Sequence, residues 1–339
     1  MREVRKEIIM TKGLLLISGT IDVTQFWPQN ESDADTVKVE VSNDGFKFAP
    51  NGNHASAKVT HVFDAPLVIG AETKVISQGK ITVRLEHIDA PELHYQGTKN
   101  FRQFFGETAA IALHDLIADA GRNPVHCEVR TFVNHPNDVF DTYGRLIGNI
   151  ILHPNTRKEL NVNHWLVQNG WALPAFYNSA LVEEIKEFSK LADEARKAKK
   201  GIWAHLSTDV GHPDFSLLFR HGGPANPQAD IGPVVVPKMF RREVAWQKLQ
   251  VNDHFAGTFR DFLAKQEDGW VKMPDFLQNQ SIEPFKKDLS SLVDARGFLT
   301  VDPVDVVFFE KASTLADAWG RDIESWWGEF DRAVKGTAA

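Results

Sequence analysis

"ITVRLEHIDAPELHYQ", residues 81–96, starts as a strand and ends as a turn crowded with charge. Ile81, Val83 and Leu85 alternate with Thr82 and Arg84, the period-two pattern of a half-buried strand. Where the alternation stops, Asp89 and Glu92 bracket Ala90 and Pro91. An arginine inside the run and two carboxylates at its end ask for a chemical reason.

Composition narrows the reasons. The chain has 339 residues, 42% of them hydrophobic, enough for one large core or two. Its one cysteine, Cys127, sits in an apolar strand pattern and reads as a core thiol, so neither a disulfide framework nor a cysteine-rich zinc site is expected. No run approaches 18 apolar residues, so no membrane-spanning helix is expected, and with a net charge of −7 no membrane partner is expected either. The opening residues lack a signal-peptide cleavage pattern and pass directly into alternation, so the compartment expected is cytoplasmic, with secretion the alternative. A net charge of −7 argues against broad attraction to polyanions, so phosphate binding has to be local and a bound cation would help it.

Outward from residues 81–96, strands are expected within residues 13–23 and 36–41, joined by a long polar loop, and at 126–132 and 145–152. Residues 42–80 read as an insertion with extra strands or an elaborated loop. A helix over 100–119 is expected to bury Phe101, Phe104, Phe105, Thr108, Ala112 and Leu116. A short helix follows within 161–171 and a longer one over 182–200, with Gly201 as its C-terminal cap and basic residues in its last turns. The Gly- and Pro-rich stretch 221–238 reads as a linker or covered loop. The division is therefore 1–206, a linker over 207–238, and a mixed α/β domain over 239–339. That last domain is expected to hold helices near 255–265 and 281–295, a strand in 304–310, and a final helix with Leu315, Trp319, Ile323, Trp326 and Phe330 on one face. Residues 207–339 carry 15 Lys and Arg against 20 Asp and Glu, so most of the net negative charge lies there.

Two short stretches combine with the "VRLEHIDAPE" of the opening one, which carries Arg84, Asp89 and Glu92: "SDADTVKV" with Asp33 and Asp35 at a strand entrance, and "FDTYGRLIG" with Tyr143 and Arg145. Together with "NVNHWLVQNGWA" and "ADEARKAKKGIW", their order and spacing resemble the staphylococcal nuclease family over about residues 13–205. The resemblance implies an α+β fold for 1–206, a five-stranded oligonucleotide-binding (OB-fold) barrel with three helices. It implies Ca2+ held by Asp35, Asp89 and the backbone carbonyl of Ala90, a catalytic trio of Arg84, Glu92 and Arg145, and substrate-stacking aromatics at Tyr143, Phe176 and Tyr177. It also implies cleavage of DNA and RNA, single-stranded or locally unpaired, leaving 3′-phosphate ends. Departures from the family pattern are Ala34 where glycine is usual, a long loop before Asp33, and about 40 residues inserted over 42–80.

The residue types suit that chemistry. A phosphodiester gains negative charge in its transition state, and a planar guanidinium grips two phosphate oxygens at once. Hard oxygen ligands suit calcium, and a carboxylate standing off the metal can take the proton of an attacking water. Each residue also has a plainer role available: Asp33 and Asp35 as turn formers, Arg145 as a surface arginine, Tyr143 as packing under its turn. The 13 histidines show no close ligand pair and read as surface or hydrogen-bonded core residues. The function expected is a calcium-dependent nuclease, acting as a monomer. The alternative is a nucleic-acid-binding or protein-docking barrel with weak catalysis, with the C-terminal domain binding a protein or ligand partner.

Overall fold

Gly13–Ile21 (β1), Thr36–Ala49 (β2), Lys80–Leu85 (β3), Val125–Val133 (β4) and Leu146–Leu152 (β5) form a closed five-stranded barrel in the computed structural model of the chain. The structure describes residues 13–309 except 50, 60–66, 70–72, 75, 78, 97–98, 134–138, 223–225, 253–254 and 280, and also the backbone of 315–317. β1 pairs antiparallel with β2 and with β4, β2 with β3, and β4 with β5. A parallel pairing of β5 with β3 closes the ring. Alternate residues point inward, so Ile17, Val37, Val39, Ile81, Val83, Val129 and Ile150 fill one core, and Cys127 joins them with its thiol pushed up to about 12 by burial. Between Ile17 and Gly19 the β1–β2 register shifts; a Cβ on Gly19 would lie 2.5 Å from the Glu40 carbonyl, so only glycine allows this approach.

Helices Gly106–Ala120 (α1), Val162–Gln168 (α2) and Val182–Lys197 (α3) complete the three expected. α1 starts six residues later than expected, at Gly106, leaving Phe101, Phe104 and Phe105 before it. Its buried stripe is Ala109, Leu113 and Ile117, one residue on from the expected Thr108, Ala112 and Leu116, because the phase is set by packing on the barrel. α3 ends in a Schellman motif: Lys199 takes the left-handed conformation at φ 52°, with Lys199 N–H donating to Arg196 O and Lys200 N–H to Ala195 O. Gly201, expected as the cap, instead lies against Gly170, where a Cβ would come within 2.2 Å of the Gly170 carbonyl.

Beyond residue 206 the chain stays on the barrel. Asp230 is fully buried and accepts from Arg102 and from both the N–H and the hydroxyl of Thr108. Helix Pro237–Asn252 (α4), which the pattern reading passed over, packs Met239, Phe240 and Val244 into a second core with Phe101, Phe259, Phe262 and Trp270. Phe176–Tyr177 (β6) pairs in parallel with Val306–Phe308 (β8), which pairs with Gly269–Lys272 (β7), so both halves of the chain build one small sheet. The helix expected over 281–295 is absent: Glu283–Phe285 and Leu289–Leu292 are single 3-10 turns, the first started by Pro284 and the second capped by Asp288. Leu315–Asp317, expected to open the last helix, is a strand paired with Leu67–Ile69 of the insertion; Trp319, Ile323, Trp326 and Phe330 lie outside the described residues.

Candidate active site

Register brings the expected residues together. Thr36 at the start of β2 lies opposite Arg84 of β3, and Ile147 of β5 lies on the other side of Arg84, which places Asp35 and Arg145 around one strand end. After β3 the chain turns through His87 at φ 61°, and Asp89 is fixed by pairing with Leu173. Glu92 is held by its backbone: its N–H donates to Gln103 Oε1 at 3.0 Å, and its carbonyl accepts from Gln103 N–H at 2.9 Å.

Arg84 is the hub. Its Nη1 lies 2.9 Å from Asp35 Oδ2 and its Nη2 2.9 Å from Asp89 Oδ1, while Nη1 also donates to the Ile88 carbonyl at 2.9 Å. Asp35 Oδ2 further accepts from Ala90 N–H at 3.3 Å. Asp35, Asp89 and Glu92 are all buried. Arg145 lies close by: Nε donates to Asp141 Oδ2 at 2.7 Å and Nη1 to Thr36 Oγ1 at 3.3 Å, so Asp141 aims it along the barrel's end. Tyr143 is 76% exposed with the Arg145 guanidinium over its ring, whereas Phe176 is fully buried and offers no face to a ligand. Tyr177 is half-buried with Lys238 of α4 over its ring.

Charge is unevenly balanced. Burial opposes ionisation of Asp35, but Arg84, then Arg145 and Arg241, outweigh it and hold its carboxyl below the usual carboxylate range. Burial drives the Asp33 carboxyl well above that range, with Asp35 and Glu92 adding repulsion. Burial raises Glu92 to about 7, against the pull of Arg241. Asp33 Oδ1 is buried with no hydrogen-bond partner. Asp35, Asp89 and Glu92 thus bring hard carboxylate oxygens, the donor type a divalent cation prefers, to one strand end, where guanidinium groups now hold them.

Arg241 of α4 is the residue that sequence reasoning missed. Its Nη1 donates to Asp89 Oδ1 at 3.1 Å, its Nη2 to Asp89 Oδ2 at 3.0 Å, and Nη1 also pairs with Glu92 Oε1. The signal for α4 was available in Met239, Phe240 and Val244 after Pro237, but nothing local to it points at residues 89–92.

Among the described residues, the one group of three ligand-type side chains with ligand atoms all within 4.8 Å of one another is Glu86, His87 and Glu184, not the Asp35, Asp89 and Glu92 set. His87 Nε2 lies 3.1 Å from Glu184 Oε2, which also accepts from Leu181 N–H at the start of α3, and Glu86 Oε2 accepts from Asn149. These contacts clamp α3 to the turn after β3. No helix among the described residues is long and apolar enough to cross a membrane.

No curated protein matches the chain. Residues 82–205, which hold Arg84, Asp89, Glu92, Tyr143 and Arg145, match the model of the family described as staphylococcal nuclease homologue, and the chain therefore carries a domain of that family.

Proposed function

We propose that the protein is a calcium-dependent nuclease that hydrolyses phosphodiester bonds of DNA and RNA at the strand end that carries Arg84, with Glu92 and Arg145 acting beside it, leaving 3′-phosphate ends. The observation that carries this reading is the convergence of Arg84, Asp35 and Asp89, each within 2.9 Å of its partner, with buried Glu92 and nearby Arg145. Asp35, Asp89 and the Ala90 carbonyl would hold Ca2+, which when bound supplies positive charge to a non-bridging phosphate oxygen. Arg84 and Arg145 grip the other phosphate oxygens and stabilise the charge that grows on them. Glu92 takes the proton of the attacking water; a carboxyl raised to about 7 is matched to that task near neutral pH. The 5′ oxygen leaves and the phosphate stays on the 3′ side. Exposed Tyr143 supplies a stacking face for an unpaired base.

The test is cleavage of single-stranded DNA and RNA with Ca2+ and then with excess chelator, with end-group analysis. Chelator-sensitive cleavage to 3′-phosphates is expected; cleavage unaffected by chelator overturns the metal assignment. One observation favours a second reading, a nucleic-acid-binding or docking barrel with weak catalysis: Arg241 engages both Asp89 and Glu92. Oligonucleotide binding without cleavage at saturating Ca2+ would select it.

A further inference from the structure

Arg241 reaches the site from outside the barrel, from a helix about 150 residues further along the chain than the carboxylates it binds. It takes both oxygens of Asp89 and one of Glu92, the groups assigned above to holding the cation and accepting the water's proton. Asp89 Oδ1 is at the same time bonded by Arg84, so no oxygen of Asp89 is left without a guanidinium. A divalent ion and Arg241 therefore compete for the same lone pairs. The Arg241 side chain is 25% exposed, against 5% for Asp89 and 9% for Glu92, so the arginine has a path out and the carboxylates do not. Its neighbours anchor the helix independently of the site: Arg242 pairs with Asp268, and Met239, Phe240 and Val244 are buried.

We propose that Arg241 is a tethered cation which plugs the site, and that divalent metal must displace it from Asp89 and Glu92 before the site can act, so that the C-terminal region sets the metal concentration at which the barrel works. This rests on the reading of Asp35 and Asp89 as the metal holders. Competition is reciprocal: a plug that lowers metal affinity is itself loosened by metal. Displacing a bidentate, charge-assisted contact costs enough that its removal should tighten metal binding about tenfold or more.

The experiment is a calcium titration of the full chain by calorimetry, comparing the unaltered protein with Arg241→Gln, Arg242→Gln and Asp35→Asn. The expected result is about tenfold or more tighter Ca2+ binding in Arg241→Gln, no change in Arg242→Gln, and loss of binding in Asp35→Asn. Equal or weaker binding in Arg241→Gln, with Asp35→Asn still abolishing it, overturns the plug alone. No saturable binding in any of the proteins overturns the metal reading beneath it. A measurement on the unaltered protein removes dependence on the variant's folding: the Nε–H resonance of the Arg241 guanidinium should shift and exchange faster with solvent at saturating Ca2+. An unchanged Nε–H signal, while Ca2+ binds, also overturns the proposal.

Discussion

At the scale of single residues, Glu92 and Asp35 separate chemistry from binding. Glu92→Gln keeps shape and removes the proton acceptor, and such a loss is worth on the order of 10² to 10⁴ in rate, about 3 to 5 kcal/mol. Single-turnover cleavage should fall by that much with oligonucleotide affinity within a few-fold of the unaltered protein. Asp35→Ala should abolish calcium-dependent cleavage, and cleavage with unchanged calcium dependence would remove Asp35 from the site. Glu243, also on α4, makes a different prediction. It is 2% exposed, its Oε2 has no hydrogen-bond partner, and burial, with Asp209 adding repulsion, pushes its carboxyl up to about 9 from the ordinary 4.5. Between those values the folded protein keeps a proton that the unfolded chain releases, so this group's contribution to stability falls as pH rises through the window. Glu243→Gln should match the unaltered protein near pH 4 and exceed it at neutral pH by up to about 3 kcal/mol, read from denaturant unfolding at several pH values.

At the scale of elements, the segment before α4 fastens helix α1. Asp230 takes the guanidinium of Arg102 and both donors of Thr108, and its carbonyl accepts from Phe105 N–H at 2.8 Å. Asp230→Ala leaves the buried Arg102, among the described residues, with only Glu107 for a carboxylate, 3.3 Å from its Nε. Removing one partner of a buried pair costs about 3 to 5 kcal/mol, and thermal unfolding should report a loss of that size. Gly106 at the first turn of α1 makes the link to the site tighter. A Cβ there would lie 2.6 Å from the Glu92 carbonyl, so Gly106→Ala has to move the turn that carries Glu92. A lower melting temperature together with slower cleavage is expected, and unchanged turnover would show that the turn yields without moving Glu92.

At the scale of the whole molecule, we propose residues 1–206 as the nuclease unit, with the remainder acting on it through shared surfaces. A chain ended at 206 loses the partner of β6, the Asp230 clasp and the second core that covers Phe101. The shortened chain is expected to keep its barrel with a lower melting temperature, to bind Ca2+ more tightly because Arg241 is gone, and to cleave at lower Ca2+. Insoluble or inactive shortened protein would show that the shared sheet completes the nuclease unit.

What the sequence by itself determined is the barrel and its charged strand end. Arg84, Asp89 and Glu92 lie within nine residues, and the alternation of Ile81, Val83 and Leu85 sets which face Arg84 takes, so local geometry reads out directly. Asp35 and Arg145 join them because strand entrances and turns announce themselves in short polar stretches, and pairing then aligns Thr36 and Ile147 with Arg84. Residues whose place depends on what packs over them were not legible. Phe176 has the composition of a stacking residue, yet pairing with Val307 draws it into the core. The phase of α1 slipped by one residue because apolar side chains precede the helix as well as line it. Arg241 is the clearest case: a basic residue on an amphipathic helix looks solvated along the chain. Only the docking of α4 brings its guanidinium to Asp89 and Glu92, where buried carboxylates outnumber nearby arginines and attract any cation the fold can deliver.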